Sequence, residues 1–167
     1  MKTLKTRRLV LRTIHPQDFY DFAAYYSDAE VAHWLLGQPA TDGLIQKAFN
    51  FNMRPDVLCY SVVREGRVIG NIHFVNIAEN YVAEMGYVLC PKHQGQGLMT
   101  EAMAAAVDYG FYGLGFGRLR AVTQIENTAS IALLARLGFE HEATIYEASY
   151  GGRVADVAYY SLLGEKA

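Results

Sequence analysis

Only two cysteines, Cys59 and Cys90, occur in the 167 residues of the chain. Each lies inside an apolar run rather than in a metal-spaced pair, so the sequence predicts neither a disulfide framework nor a metal site. Both are expected as small core residues of a protein in a reducing compartment. Prolines are scarce and scattered, and no tandem repeat, low-complexity tract or linker-like stretch divides the chain. An excess of basic charge is also missing, because 15 Lys and Arg face 17 Asp and Glu for a formal charge of -2. A protein that neutralises nucleic-acid phosphates would show the opposite balance, so no direct nucleic-acid partner is expected and a cationic partner is slightly favoured. No apolar run is long enough to span a bilayer, and the basic N-terminal stretch has an apolar run broken by Arg12, unlike a signal peptide. A cytoplasmic protein without a membrane partner is the expectation.

What the chain does have is apolar mass. With 51% hydrophobic residues it can bury one sizeable core, which predicts a single domain over 1–167. Alternating residues predict a first strand from Arg8 to Thr13, and helical spacing of Phe19, Phe22, Ala23 and Tyr26 predicts a helix between Pro16 and Trp34. A second helix is expected from Thr41 to about Met53. Two β-branched runs joined by Glu65-Gly66 read as a tight hairpin, and a third run, Val82 to Leu89, follows the polar tip Glu79-Asn80. Met99, Ala102, Met103 and Ala106 form the stripe of a helix from Gly97 to Tyr112. A strand from Arg118 to Ile125 then leads to a helix with Asn127 as N-cap and Gly138 as stop. Two last strands, Phe139 to Ser149 and Val154 to Leu163, flank the turn Gly151-Gly152. The predicted order is β-αα-βββ-α-β-α-ββ, a mixed α/β sheet with helices on both faces.

The stretch Pro91-Lys-His-Gln-Gly-Gln-Gly-Leu-Met-Thr100 carries the clearest chemical signal. Helix N-terminal amides lack intrahelical partners and lie at the positive end of the dipole, so they form an anion site. Gly95 and Gly97 remove side chains that would keep an anion from those amides. A diphosphate would fit; a plain helix-entry turn would use the same glycines for their backbone angles. The loop is no P-loop, because Gly97 is followed by Leu98 rather than Lys-Ser/Thr, and no dinucleotide fingerprint, because the third glycine is missing. Gly113 to Gly117 is richer in glycine but falls between a helix end and a strand, where no helix N-terminus faces a ligand.

Gln94-Gly95-Gln96-Gly97-Leu98-Met99 resembles the Gln/Arg-x-x-Gly-x-Gly/Ala pattern of the GNAT N-acyltransferases, with Met99 departing from the small last residue. Thr6 to Arg12, Glu84 to Ala102, and Asn127 to Ala143 with its Asn-x-x-Ser and Leu-Gly-Phe resemble the branch containing the ribosomal-protein-alanine N-acetyltransferases. These elements fall in that family's order over nearly the whole chain. The resemblance implies the GNAT acyl-CoA N-acyltransferase fold and acetyl-CoA as co-substrate. It further implies that Glu84 to Cys90 pairs with the pantetheine arm through Val88, Leu89 and Cys90. The diphosphate would sit on Gln94, Gly95, Gln96, Gly97, Leu98 and Met99, with Thr100 adding a hydroxyl and Asn127 lying near the pantetheine or the sulfur. A homodimer is compatible with the resemblance.

Acetyl transfer to an amine needs a neutral nucleophile, a donor for the developing oxyanion and a proton for the leaving thiolate. An α-amine with pKa near ~8 costs only about 1.4 kcal/mol to neutralise at pH 7, against roughly 4.6 for a lysine-like amine. Glu84 is the candidate base; a structural ion pair is the competing reading. A backbone amide at Val88 or Leu89 is the candidate oxyanion donor. Ser130 is the candidate acid, with a first-turn helix role as its alternative, and Tyr87 and Tyr146 are further candidates. Tyr25, Tyr26, Trp34 and Phe49 would wall the acceptor groove or fill the core, and His73 is read as a satisfied strand residue. The expected activity is acetylation of a primary amine, a ribosomal or other protein N-terminus, by direct transfer in a ternary complex. A small-molecule amine acetyltransferase and a non-catalytic acyl-CoA-binding module are the alternatives.

Overall fold

The computed structural model describes residues 1–78, 81–150 and 153–164. Its strands are β1 (Leu4–Lys5), β2 (Val10–Thr13), β3 (Leu58–Arg64), β4 (Arg67–Ala78), β5 (Val82–Leu89), β6 (Arg118–Gln124), β7 (Glu140–Tyr150) and β8 (Arg153–Leu163). Its α-helices are α1 (Phe19–Tyr26), α2 (Ala29–Leu36), α3 (Asp42–Asn52), α4 (Leu98–Asp108) and α5 (Thr128–Arg136). The strands form one sheet in the order β1-β2-β3-β4-β5-β6-β8-β7, antiparallel throughout except for the parallel pair β5 and β6. That pair is parallel because α4 carries the chain back across the sheet between them.

Three expectations need correction. The short strand β1, paired with β2, was not foreseen, because two residues carry no readable alternation. The single helix expected from Pro16 to Trp34 is two, since Asp28 leaves the helical region and its Oδ1 accepts from the amides of Glu30 and Val31, capping α2. The helix expected to reach Tyr112 ends as α-helix at Asp108 and closes with a π-turn over Tyr109–Gly113. The hairpin at Glu65-Gly66 is as expected, with positive φ of 51° and 80° at its two central residues. The turns Glu79-Asn80 and Gly151-Gly152 lie outside the described residues.

Helices α1 to α3 cover one face of the sheet, where Phe22, Val31 and Ile45 pack with Cys59, Val75 and Val88. Helices α4 and α5 cover the other, where Met103, Ala106 and Leu134 pack with Phe74, Met85 and Leu119. The expected stripe on α4 is buried throughout. Its first turn is tied to the N-terminal strands by Glu101, whose carboxylate accepts from Thr6 Oγ1 at 2.6 Å, from the Arg8 amide at 2.8 Å and from Arg8 Nε at 2.6 Å. Burial works to raise the Glu101 pKa, but the bonds from Thr6 and Arg8 win and hold it at about 2.

A carboxylate whose pKa is depressed by folding stabilises fully above its unfolded value and loses that contribution as pH falls through the folded one. Glu101→Gln is therefore expected to lower the neutral-pH midpoint by a few degrees, for about 1–2 kcal/mol after allowance for the solvent around Arg8. The gap between variant and parent should close as pH falls from 4.5 to about 2. Thermal unfolding across that window checks it, and a gap that persists at pH 2 refutes the charge as the source.

Candidate active site

The sheet parts in its middle. β5 and β6 pair only at Val82↔Arg118, Ala83↔Leu119 and Glu84↔Arg120, while β5 stays paired with β4 as far as Leu89. From Met85 onward one edge of β5 faces a gap. Peptide groups in an antiparallel ladder alternate in direction, and the Cys90 amide, donating to Ile69 O at 2.8 Å, sets the phase. By that alternation Val88 turns its peptide groups to Asn71 on β4, whereas Tyr87 and Leu89 turn theirs into the gap. The Leu89 carbonyl accepts from Gln94 Nε2 at 3.1 Å, as this phase requires. Two expectations are corrected here. Val88 can offer the gap its side chain but not its amide, and Cys90, with its amide committed to β4, does not line the site.

A cavity of about 870 Å³ passes through the gap and joins the two faces of the sheet. On the side of α1 and α2 its walls include Tyr26, Glu30, Val31 and Trp34; on the side of α4 and α5 they include Gly97, Thr100, Asn127 and Ser130. Tyr25 and Phe49, named with Tyr26 and Trp34 from the sequence, are core residues instead.

At the α4 end, Gly95 and Gly97 adopt positive φ of 70° and 71°, and Gly97 is the N-cap of the helix. The Gln94 amide is used by Pro91 O at 3.1 Å and is removed from the expected anion set. Among the described residues the amides from Gly95 to Thr100 have no acceptor, and the next, Glu101, bonds to Gly97 O at 3.1 Å. Six adjacent unpaired amides at the positive end of an eleven-residue helix form an anion cradle. Gln96 braces the loop from outside, its Oε1 accepting from Arg64 Nη1 at 3.0 Å and its carbonyl from Arg8 Nη1 at 2.9 Å. Its side chain does not line the cavity.

Deeper in, Tyr87 Oη and Ser130 Oγ are 2.7 Å apart. The cap of α5 is Asn127, whose Oδ1 accepts from the Ser130 amide at 3.0 Å, so the Ser130 hydroxyl is left to the phenol. Burial pushes the Tyr87 pKa up to about 12, with the Ser130 bond offsetting part of the rise, so the phenol keeps its proton at neutral pH. Glu84, half-buried on the other face, accepts from Asn76 Nδ2 at 3.3 Å and lines the cavity.

Tyr146, a candidate from the sequence, is 70% exposed and stands away from the cavity. Tyr150 lines it instead, donating to Val122 O at 3.1 Å, with its pKa raised by burial and then by the charge of Glu84. Tyr146 and Tyr150 would share a face in a regular strand. A register shift between Ile145 and Ala148, with φ of 52° at Glu147, separates them, and no signal in the sequence marks it. His73 also lines the cavity, beyond its expected role as a satisfied strand residue.

A parted sheet, an anion cradle on its central loop and a polar passage between them define an acyl-CoA-dependent transferase. Residues 8–140 match the family model described as the acetyltransferase (GNAT) domain. The chain is 36% identical to an uncharacterised N-acetyltransferase, p20, of Bacillus licheniformis, over 98% of this chain and 97% of that one. It is 34% identical to the [ribosomal protein uS5]-alanine N-acetyltransferase of Escherichia coli, over 83% and 78% of the two chains. A GNAT acetyltransferase from Bacillus anthracis superposes with a TM-score of 0.87 at 27% identity, covering 99% of this chain and all of that one. A spermidine N-acetyltransferase from Vibrio cholerae, solved with CoA and spermine, shares the fold with a TM-score of 0.81 at 21% identity, covering 95% and 96%. The chain belongs to the GNAT acetyltransferase family; it is an N-acetyltransferase whose co-substrate is acetyl-CoA.

Acetyl-CoA at 100 times its Kd is expected to add about 2.7 kcal/mol of stability and to raise the unfolding midpoint by roughly 5–10 °C, with no rise from ATP or NAD. Gly97→Val, which forces a β-branched residue into positive φ at the cradle, should lose most of that shift. Differential scanning fluorimetry measures both, and a full shift in the variant would remove the cradle from cofactor binding.

Proposed function

We propose that the protein acetylates a protein N-terminal α-amine by direct transfer from acetyl-CoA in a ternary complex. The observation that carries this reading is the single cavity that opens on both the amide cradle and Glu84 through the gap between β5 and β6. Cofactor entering from the α4 side and amine entering from the α1–α2 side would meet beside Tyr87, with no covalent relay required. Similarity to the uS5-alanine enzyme over most of both chains supports an α-amine acceptor, and so does its small cost of neutralisation.

In this mechanism Glu84 takes the proton of the attacking amine, directly or through water. The amide of Leu89 or Tyr87, turned into the gap, donates to the carbonyl oxygen as it gains charge. The new C–N bond forms as the C–S bond breaks. The departing thiolate takes a proton from the Tyr87–Ser130 pair, whose phenol is protonated at the working pH and hydrogen-bonded to a second hydroxyl that can relay or replace it. Neither cysteine of the chain lines the cavity, in keeping with direct transfer.

A panel of free-N-terminal peptides, N-blocked lysine peptides and polyamines decides the acceptor. Peptides with a free α-amine are expected to show the highest kcat/KM, and a clear preference for spermidine would replace this reading with a polyamine acetyltransferase. Acetyl-CoA binding without acetylation of any amine would leave a non-catalytic binding module.

Tyr87→Phe and Ser130→Ala are each expected to lower kcat by about 10- to 100-fold, at the low end for a single proton-transfer group. The double variant should fall little below the worse single one, because the two hydroxyls act as one unit. Steady-state kinetics on all three variants checks this, and strictly multiplicative losses would show two independent roles.

A further inference from the structure

The reading of the Glu84 side of the cavity as the acceptor site gives no task to His73, which also lines it. His73 is the central member of a row across the sheet, opposite Cys59 on β3 and Gly86 on β5. Its Nδ1 is 2.9 Å from Asn52 Oδ1 at the end of α3. The orientation of that amide is fixed, because Asn52 Nδ2 donates to Ala48 O at 2.9 Å and Asn52 Oδ1 also accepts from Asn71 Nδ2 at 3.4 Å. Asn71 is fixed in turn by Tyr25, whose hydroxyl donates to Asn71 Oδ1 at 3.0 Å. An amide oxygen carries no proton, so the proton of this contact belongs to His73 Nδ1. Nε2 is therefore the bare, lone-pair nitrogen, and among the described residues it has no hydrogen-bond partner.

The neighbouring strand makes room for that nitrogen. A Cβ built on Gly86 would stand 2.1 Å from His73 Nε2, so the ring can lie over β5 only because residue 86 is glycine. Nε2 thus lies against the middle of β5, two residues from Glu84 on the same face of the strand. The groups that share this space are Cys59 on β3, Glu84 on β5, Tyr26 on α1, Glu30 on α2, and Phe51 and Asn52 on α3. Burial holds the imidazole near pKa 4, so it is neutral wherever the acceptor amine is reactive.

A neutral primary amine has two N–H donors and one lone pair. We propose that His73 is a catalytic residue on the acceptor side, its Nε2 accepting one N–H of the incoming amine while Glu84 takes the other. With both hydrogens held on the α1–α3 face, the nitrogen lone pair points into the gap, where the thioester carbonyl lies in the proposed mechanism. The proton lost on C–N bond formation still goes to Glu84; His73 orients and takes none. Asn52 is the positioning residue that keeps the lone pair on Nε2.

The test uses the intact protein and the acceptor preferred in the panel. His73→Leu is expected to lower kcat/KM for the amine by about 10- to 100-fold while the acetyl-CoA-induced thermal shift stays intact. Asn52→Asp should convert the contact into an ion pair, raise the His73 pKa and create a new acidic limb in the pH–rate profile, as protonation removes the Nε2 lone pair. Adding His73→Gln to Asn52→Asp should abolish that limb, which a purely structural histidine would not do. If the parent enzyme acetylates the amine and His73→Leu does so equally well, the inference falls and the proposed function stands. No new limb in folded, acetyl-CoA-binding Asn52→Asp would also overturn it. If the parent acetylates no amine, the proposed function falls and this inference falls with it.

Discussion

Everything specific to this molecule depends on the point at which β5 and β6 stop pairing. Three residue pairs hold them together, and after Glu84 the parallel ladder ends while β5 continues against β4. An unpaired edge inside a sheet leaves peptide groups without partners, which is costly unless water or a ligand satisfies them. Here the edge opens on a cavity, so its free peptide groups are available to a ligand. The same break joins two faces that a continuous sheet would seal from each other. The proposed direct transfer uses this opening, with cofactor and acceptor approaching from opposite sides.

The parts around the gap are held by ties between distant segments. Glu101 fastens the start of α4 to Thr6 and Arg8, so the cradle amides are oriented before any anion arrives. Tyr87 and Ser130, 43 residues apart, bring β5 and α5 to hydrogen-bond distance across the cavity. The chain Tyr25, Asn71, Asn52 and His73 links α1, β4 and α3 on one wall of the cavity, with Asn71 and His73 both donating to Asn52 Oδ1. Such hydrogen-bonded networks fix geometry in a low-dielectric setting, where a broken link would be expensive. Preorganisation of this kind saves reorganisation at the moment of reaction.

Much of this architecture was legible because its signals are local. Gly95 and Gly97 before an apolar helical stripe mark a helix entry with open amides, and the structure bears out both the positive φ and the unpaired groups. Asn127 caps α5 as its residue type and position imply, which frees Ser130 for the site. Where the reading went astray, the missing information was relative direction. Cys90 and the Val88 amide look equivalent to Leu89 in sequence, whereas ladder phase alternates and is set by a partner strand. Tyr150 rather than Tyr146 reaches the cavity because a bulge reverses the faces of β7.

By itself the sequence determined the order of the main elements, the cradle and the residue types available for acyl transfer, since turn chemistry, capping and hydrophobic periodicity act over a few residues. The tertiary structure alone decided where the sheet parts, which amides face the gap and which hydroxyls meet. It also decided that Gly86 gives His73 room and that Asn52 fixes its tautomer. Those outcomes depend on strand register and on contacts between segments tens of residues apart, and a linear pattern does not encode the direction in which a peptide group or a ring nitrogen will point.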